Sequence, residues 1–384
     1  DKCKEIKPSG IRKFFDIANT LDGVISLGVG EPDFQTPWSI RRAAITTLEK
    51  GKTVYTANAG LIQLRRSISD YLNRKINVDY NPDKEIIVTV GGSEAIDLGI
   101  RAIVDPGDEV LVVEPSFVCY KPIIELMHGV PVVIETKIED EFRLTAEALK
   151  AKITDKTKLL ILPFPNNPTG AVMNRKDLEA IADVIRDTNI MILSDEIYSE
   201  LTYDGRHVSI AEIEGMKEHT ILVNGFSKAY AMTGWRLGYL AGPAPVIKQM
   251  LKIHQYAIMC SPTISQYAAV EAMENCDGEV SKMVNEYKLE NNIIFLGKKQ
   301  NPYPYFKLAD SLILTSEYEG FPVVYLEAMI LNIPIITTNV SDSLRIIQNK
   351  HGVVTQKNVN SIYNAMKNAI INGISQKEEF DYKE

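Results

Sequence analysis

A chain of 384 residues, 45% hydrophobic and 24% charged, has the make-up of a globular protein long enough for two domains. Its formal net charge of −8 argues against nucleic acid and anionic membrane surfaces as partners, and no apolar run is long enough to span a bilayer. The four cysteines (Cys3, Cys119, Cys260, Cys276) have no CxxC spacing and the five histidines are scattered, so neither a disulfide framework nor a metal site is expected. The segment Asp1–Glu5 lacks the apolar core of a signal peptide, and a reducing cytoplasm is the expected compartment.

In chain order, Ile11–Ile17 reads as a helix, followed by Ile25–Phe34, where Gly28 and Gly30 let the backbone approach a ligand or another chain closely. Trp38–Lys50 has the pattern of an amphipathic helix stopped at Gly51. After the loop Tyr55–Gly60, a second helix is predicted over Leu61–Leu72. Ile86–Val90, all β-branched, is a strand that runs directly into Gly91-Gly92-Ser93-Glu94, with Ala95–Ile103 continuing as helix. Such a strand–glycine–helix turn offers unsatisfied N–H groups to an anion.

Further strands are predicted at Glu109–Val113, Val132–Glu135, Leu159–Leu162, Ile190–Ser194, Thr220–Val223 and Leu237–Ala241, with helical patterns between several of them, notably Arg175–Arg186. The alternation predicts an α/β fold, a mostly parallel sheet with helices on both faces. Ligands of such sheets bind at the carboxyl ends of the strands. Five motifs fall just past strand ends: Gly91–Glu94, Pro115–Tyr120, Asn166–Gly170, Asp195–Tyr198 and Ser227-Lys228. Gln249–Asn275 is mostly helical with a break at Ser261-Pro262, and Val280–Lys288 begins another helix.

Lys228 follows a buried strand in a loop of small residues, where desolvation lowers an amine's pKa and makes it a nucleophile toward carbonyls. Ser227 and Arg236 suit a phosphate. These are the parts that hold a phosphorylated aldehyde as a Schiff base. The whole stretch Asn224–Gly238 resembles the lysine motif of the class I/II aminotransferases, pyridoxal 5'-phosphate enzymes of fold type I, and the likeness extends over about residues 5–288. It implies a large domain built on a seven-stranded sheet between helices. It also implies a set of roles: Lys228 as Schiff-base lysine and proton shuttle, Asp195 against the pyridinium nitrogen, Asn167 and Tyr198 on the phenolic oxygen, and Phe117 stacked on the ring. Gly92, Ser93 and Glu94 amides, Ser227 and Arg236 would hold the phosphate. Gly30 and Asn167 would lie near the substrate. Tyr55 matches a tyrosine that reaches the neighbouring subunit's phosphate, which implies a homodimer acting on an amino acid and a 2-oxo acid.

Past residue 288 the pattern changes. The family continues into a small domain carrying an arginine that grips the substrate carboxylate. Here the only arginine from Asn291 onward is Arg345, in a segment that does not match. Instead, Asn292–Gly297, Tyr305–Thr315, Glu319–Pro322, Leu326–Met329 and Ile333–Thr338 resemble the C-terminal half-domain of a group 1 (GT4-like) glycosyltransferase of the GT-B fold. Glu319 and Glu327 have that family's E-x7-E spacing, whose glutamates contact a donor nucleotide-sugar. We therefore expect an aminotransferase region over 1–290 with an incomplete small domain, joined in frame to a partial Rossmann-like fragment over 291–384. The expected activity is amino-acid transamination, weakened by the missing arginine. Other pyridoxal phosphate chemistry such as carbon–sulfur lysis, sugar transfer, and a chain without activity are the alternatives.

Overall fold

The computed structural model describes residues 2–6, 30–288, 301–316, 322–340, 342–348 and 350–374. The predicted segments Ile11–Ile17 and Asn292–Gly297, and Glu319, lie outside these residues. The chain divides into two compact units, Asp1–Asn292 and Ile293–Glu384.

The first unit is built on seven strands: β1 (Ile86–Thr89), β2 (Glu109–Glu114), β3 (Val130–Glu135), β4 (Thr157–Leu162), β5 (Met191–Asp195), β6 (Thr220–Gly225) and β7 (Gly238–Ala241). They lie in the order β1-β7-β6-β5-β4-β2-β3. All neighbours pair in parallel except β7, which is antiparallel to both β1 and β6. Side chains on a strand alternate between faces, and here both faces are apolar. Val110, Val112, Leu159, Ile161, Leu193, Ile221, Val223 and Leu240 pack with the helices Gly91–Ile103 and Ala244–Ala257. Their neighbours Leu111, Val113, Leu160, Leu162 and Ile192 turn to the other face, against the helix Arg175–Ile185. Leu222, Tyr239 and Ala241 share that second face with the helices Ile62–Ile76 and Thr263–Asn275. Each fully buried aliphatic side chain of this kind contributes about 1.5–3 kcal/mol, which is why continuous apolar runs rather than alternating ones mark these strands.

Helix ends follow local chemistry. Asn174 caps Arg175–Ile185 in a capping box with Asp177. The helix Gly91–Ile103, by contrast, has no side-chain cap at its first residue. It begins at Gly91, earlier than the Ala95 expected from propensity, because the glycine pair forms its first turn. One packing constraint holds that turn. A Cβ at Gly238 would sit 2.6 Å from the Gly91 carbonyl carbon and 2.8 Å from the Gly92 nitrogen, both backbone atoms. Gly238→Ala is expected to destabilise the chain by about 3 kcal/mol in urea unfolding; an unchanged midpoint would contradict this contact.

The second unit holds three parallel strands, β8 (Leu312–Leu314), β9 (Ile335–Thr338) and β10 (Gly352–Thr355), in the order β10-β9-β8. Tyr325, Ala328, Met329, Ile333, Ile335 and Ile347 form its core. Neither β10 nor the helix Val359–Asn372 was expected from the sequence. Among the described residues no helix is long and apolar enough to cross a membrane, and no cluster of His, Cys, Asp and Glu is arranged to hold a metal.

Candidate active site

The carboxyl ends of the parallel strands of the first unit face one edge of its sheet. Because β7 is antiparallel, its first residue shares that edge, with Gly238 paired to Gly225 at the end of β6. The segment between these two strands carries Ser227, Lys228 and Arg236, so one excursion delivers all three to the same rim. A cleft of about 560 Å³ opens there, lined by Gly30, Gly92, Ser93, Phe117, Asn167, Asp195, Tyr198, Ser227, Lys228 and Arg236.

The Lys228 amine donates to the Gly30 carbonyl at 2.5 Å and lies 5.6 Å from the Tyr198 ring centre. Burial pulls its pKa down, with Glu31 opposing the shift. The amine is thus easier to deprotonate than a surface lysine. Asp195, at the end of β5, is buried; its Oδ2 accepts from the Tyr120 hydroxyl at 2.7 Å and its Oδ1 from the Ile197 N–H at 3.3 Å. Burial pushes this carboxyl up, and the two hydrogen bonds pull it back. A cationic ring nitrogen in the cleft would pull it further down. Burial also raises the Tyr198 phenol, with Asp195 adding to the effect.

Asn166, not Asn167, organises its turn: its side-chain oxygen accepts from the Thr169 N–H and hydroxyl, and its amide donates to the Pro115 carbonyl. Asn167 is left to line the cleft. Phe117 also lines the cleft and meets the Tyr120 ring edge-on, with centroids 6.0 Å apart.

The anion end combines three features. The first turn of Gly91–Ile103 lacks a side-chain cap, so its amides are open to a ligand. Gly91 leaves room for Arg236, since a Cβ there would stand 2.9 Å from the Arg236 guanidinium. Arg236 itself donates to the Thr233 carbonyl and, among the described residues, pairs with no carboxylate. The Glu94 side chain is turned away from this cradle. It accepts from the Val90 N–H and meets Nδ1 of the buried His254 at 2.9 Å. Glu94 could therefore serve an anion through its backbone amide alone.

A phosphate-bearing pyridine aldehyde fits this donor set: open amides, a hydroxyl and a guanidinium at one end, a buried carboxylate and a desolvated amine at the other. Tyr55 does not reach the cleft of its own chain and is 76% exposed. In the second unit, Glu327 accepts from the Tyr303 hydroxyl at 3.1 Å. Two groups are not evident from the sequence: Tyr120, which lines the cleft, and His254, which lies behind it and holds the Glu94 side chain. Tyr120 was noticed only as the end of a loop motif. His254 was not singled out, because its partner Glu94 lies 160 residues away.

Comparison with known proteins gives the lineage. The family model described as aminotransferase class I and II matches residues 22–297, and the chain belongs to that family. An aspartate aminotransferase of Pyrococcus abyssi is 45% identical over 77% of this chain and 77% of its own length. Aromatic-amino-acid aminotransferase 2 of Thermococcus litoralis is 43% identical over 77% of each. Among solved structures, an aspartate aminotransferase from Rhizobium meliloti superposes with a TM-score of 0.73 at 36% identity, over 76% of this chain and 75% of that one. A second model, glycosyl transferases group 1, matches residues 276–383. The aminotransferase relatives support pyridoxal-phosphate-dependent transamination for this chain and favour neither lyase chemistry nor sugar transfer.

Proposed function

We propose that residues 1–290 bind pyridoxal 5'-phosphate and transfer an amino group between an L-amino acid and a 2-oxo acid, with reduced efficiency. The observation that carries this reading is the convergence of Lys228, Asp195 and an uncapped helix start on one cleft. When bound, the cofactor supplies an aldehyde for the substrate amine and a ring that takes up the electron pair left on the α-carbon. The chain's own residues do the rest. Lys228 Nζ would hold the aldehyde end and, as a free amine, would take the proton from the substrate's α-carbon. Asp195 keeps a proton on the ring nitrogen by pairing with it. Asn167 and Tyr198 orient the ring through its phenolic oxygen, and Phe117 covers one ring face, an arrangement worth about 0.5–1.5 kcal/mol for aromatic pairs. The amides of Gly92, Ser93 and Glu94, the Ser227 hydroxyl and Arg236 bind the phosphate. Gly30 and Asn167 border the substrate.

Tyr55 stands far out of its own cleft, which supports a homodimer in which it reaches the partner's phosphate. Val54 beside it is exposed, as are Tyr256, Ile258 and Met259 at the end of the helix Ala244–Ala257, a segment tied to this loop where Asn58 donates to the Met259 carbonyl. Four cysteines without CxxC spacing support a cytoplasmic location. Residues 291–384 we read as a glycosyltransferase fragment joined in frame. Glu319 and Glu327 are its donor-sugar residues by descent.

The test is uptake of pyridoxal phosphate by the purified chain, read by absorbance, with solvent deuterium incorporation at the α-carbon of an added amino acid. Incorporation above the rate with free cofactor is expected. A chain that binds no cofactor would sink the reading.

A further inference from the structure

We propose that Tyr120 is a positioning residue for Asp195, holding that carboxylate in the orientation that serves a cofactor's ring nitrogen. The inference rests on the function proposed above and adds a residue that nothing else assigns to it. Tyr120 opens the helix Tyr120–Leu126 just past β2, while Asp195 ends β5. Strand β4 lies between those two strands, so the hydroxyl–carboxylate bond of 2.7 Å spans the end of an intervening strand. Such a bond is not a by-product of local chain geometry, since the partners are 75 residues apart.

Both partners are buried, and the Tyr120 ring is packed among Val112, Ile124 and other core side chains. Its ring therefore has one position, and its hydroxyl one place to donate. Among the described residues, the other oxygen of Asp195 has only the longer bond from the Ile197 N–H. Without the phenol the carboxylate would keep a single 3.3 Å anchor in a site where burial already disfavours its charge. Hydrogen bonds to the ionised form oppose that effect, and a phenol donating to a carboxylate is of the stronger, charge-assisted kind. Tyr120 also touches Phe117 edge-on, so one buried ring braces both the group expected at the nitrogen and the group expected on the ring face.

A purely structural phenol and a positioning one predict different results. Tyr120→Phe removes the hydroxyl and keeps the packed ring, so the variant should fold with a melting temperature close to that of the parent. In the holoprotein loaded with pyridoxal phosphate labelled with ¹⁵N in the ring, the nitrogen resonance should move toward the unprotonated position. The rate of α-proton release at saturating amino acid should fall about 10- to 100-fold, less than for a group that itself carries the proton, with little change in KM. In an Asp195→Asn background, adding Tyr120→Phe should change neither readout, because the hydroxyl acts through the carboxylate. An unmoved ¹⁵N resonance with a rate within twofold of the parent would overturn the proposal. So would additive effects in the double variant, or a loss confined to thermal stability. Parent protein that takes up no cofactor would overturn the proposed function itself, a result separable from a parent that binds and a variant that matches it.

Discussion

Replacing Lys228 with alanine is expected to lower the rate of amino-group transfer by about 10⁴-fold or more, the upper range for removing a positioned proton-transfer group. Among the described residues, Lys228 supplies the only side-chain amine lining the cleft. Arg236 cannot take over both its nucleophilic and its proton-carrying role, since a guanidinium offers donors and no free amine. Lys228→Arg should fail as fully, because the guanidinium keeps the charge but offers no free amine. Borohydride treatment of the cofactor-loaded parent, followed by peptide mapping, should find the cofactor on the peptide carrying Lys228. Activity of Lys228→Ala within tenfold of the parent, or label on another lysine, would remove this residue from the mechanism.

The second large effect concerns what the cleft lacks. In this family a small-domain arginine grips the substrate carboxylate, and the family match ends at residue 297. Beyond it the only arginine, Arg345, is exposed and pairs with Asp342 on its own helical turn. Losing one partner of a desolvated charge pair costs about 2–5 kcal/mol, or roughly 30- to 5,000-fold in kcat/KM. Replacing residues 291–384 with the C-terminal quarter of an aminotransferase relative should therefore raise kcat/KM by about two orders of magnitude, mostly through tighter amino-acid binding. Cofactor affinity should change far less, because every proposed cofactor ligand of this chain precedes residue 240. An exchange that leaves kcat/KM unchanged would mean that this chain reads the carboxylate with other groups.

These expectations were open to the sequence to different degrees. The strands could be read from runs such as Val110–Val113 and Leu159–Leu162, because burial on both faces leaves no polar alternation to confuse them. The motifs past their ends could be read because turn chemistry is local: glycines at 91 and 92, and the Asn166–Gly170 turn. What stayed hidden depends on pairings between distant segments. The reversal of β7, which brings Arg236 to the rim beside Lys228, is a matter of strand order and not of strand propensity. The contacts of Lys228 with Gly30, Tyr120 with Asp195, and His254 with Glu94 join residues 198, 75 and 160 positions apart. Glu94 illustrates the limit. An acid in the first turn suits a helix dipole, and the sequence suggests a role for its amide, but only the fold reveals that its side chain is spent on Val90 and His254.

All seven strands of the first sheet are complete by Ala241, well before the position at which the family likeness changes. The three helices that follow, Ala244–Ala257, Thr263–Asn275 and Asp277–Lys288, seal the sheet and its helices and contribute no proposed ligand. A genetic crossover after residue 288 thus severs no strand pairing and no ligand of the cradle. The seam proposed there would lie after the last proposed cofactor ligand of the first unit. Such a seam makes the first unit a natural recipient for grafted C-terminal segments, whether evolution or a protein engineer does the splicing.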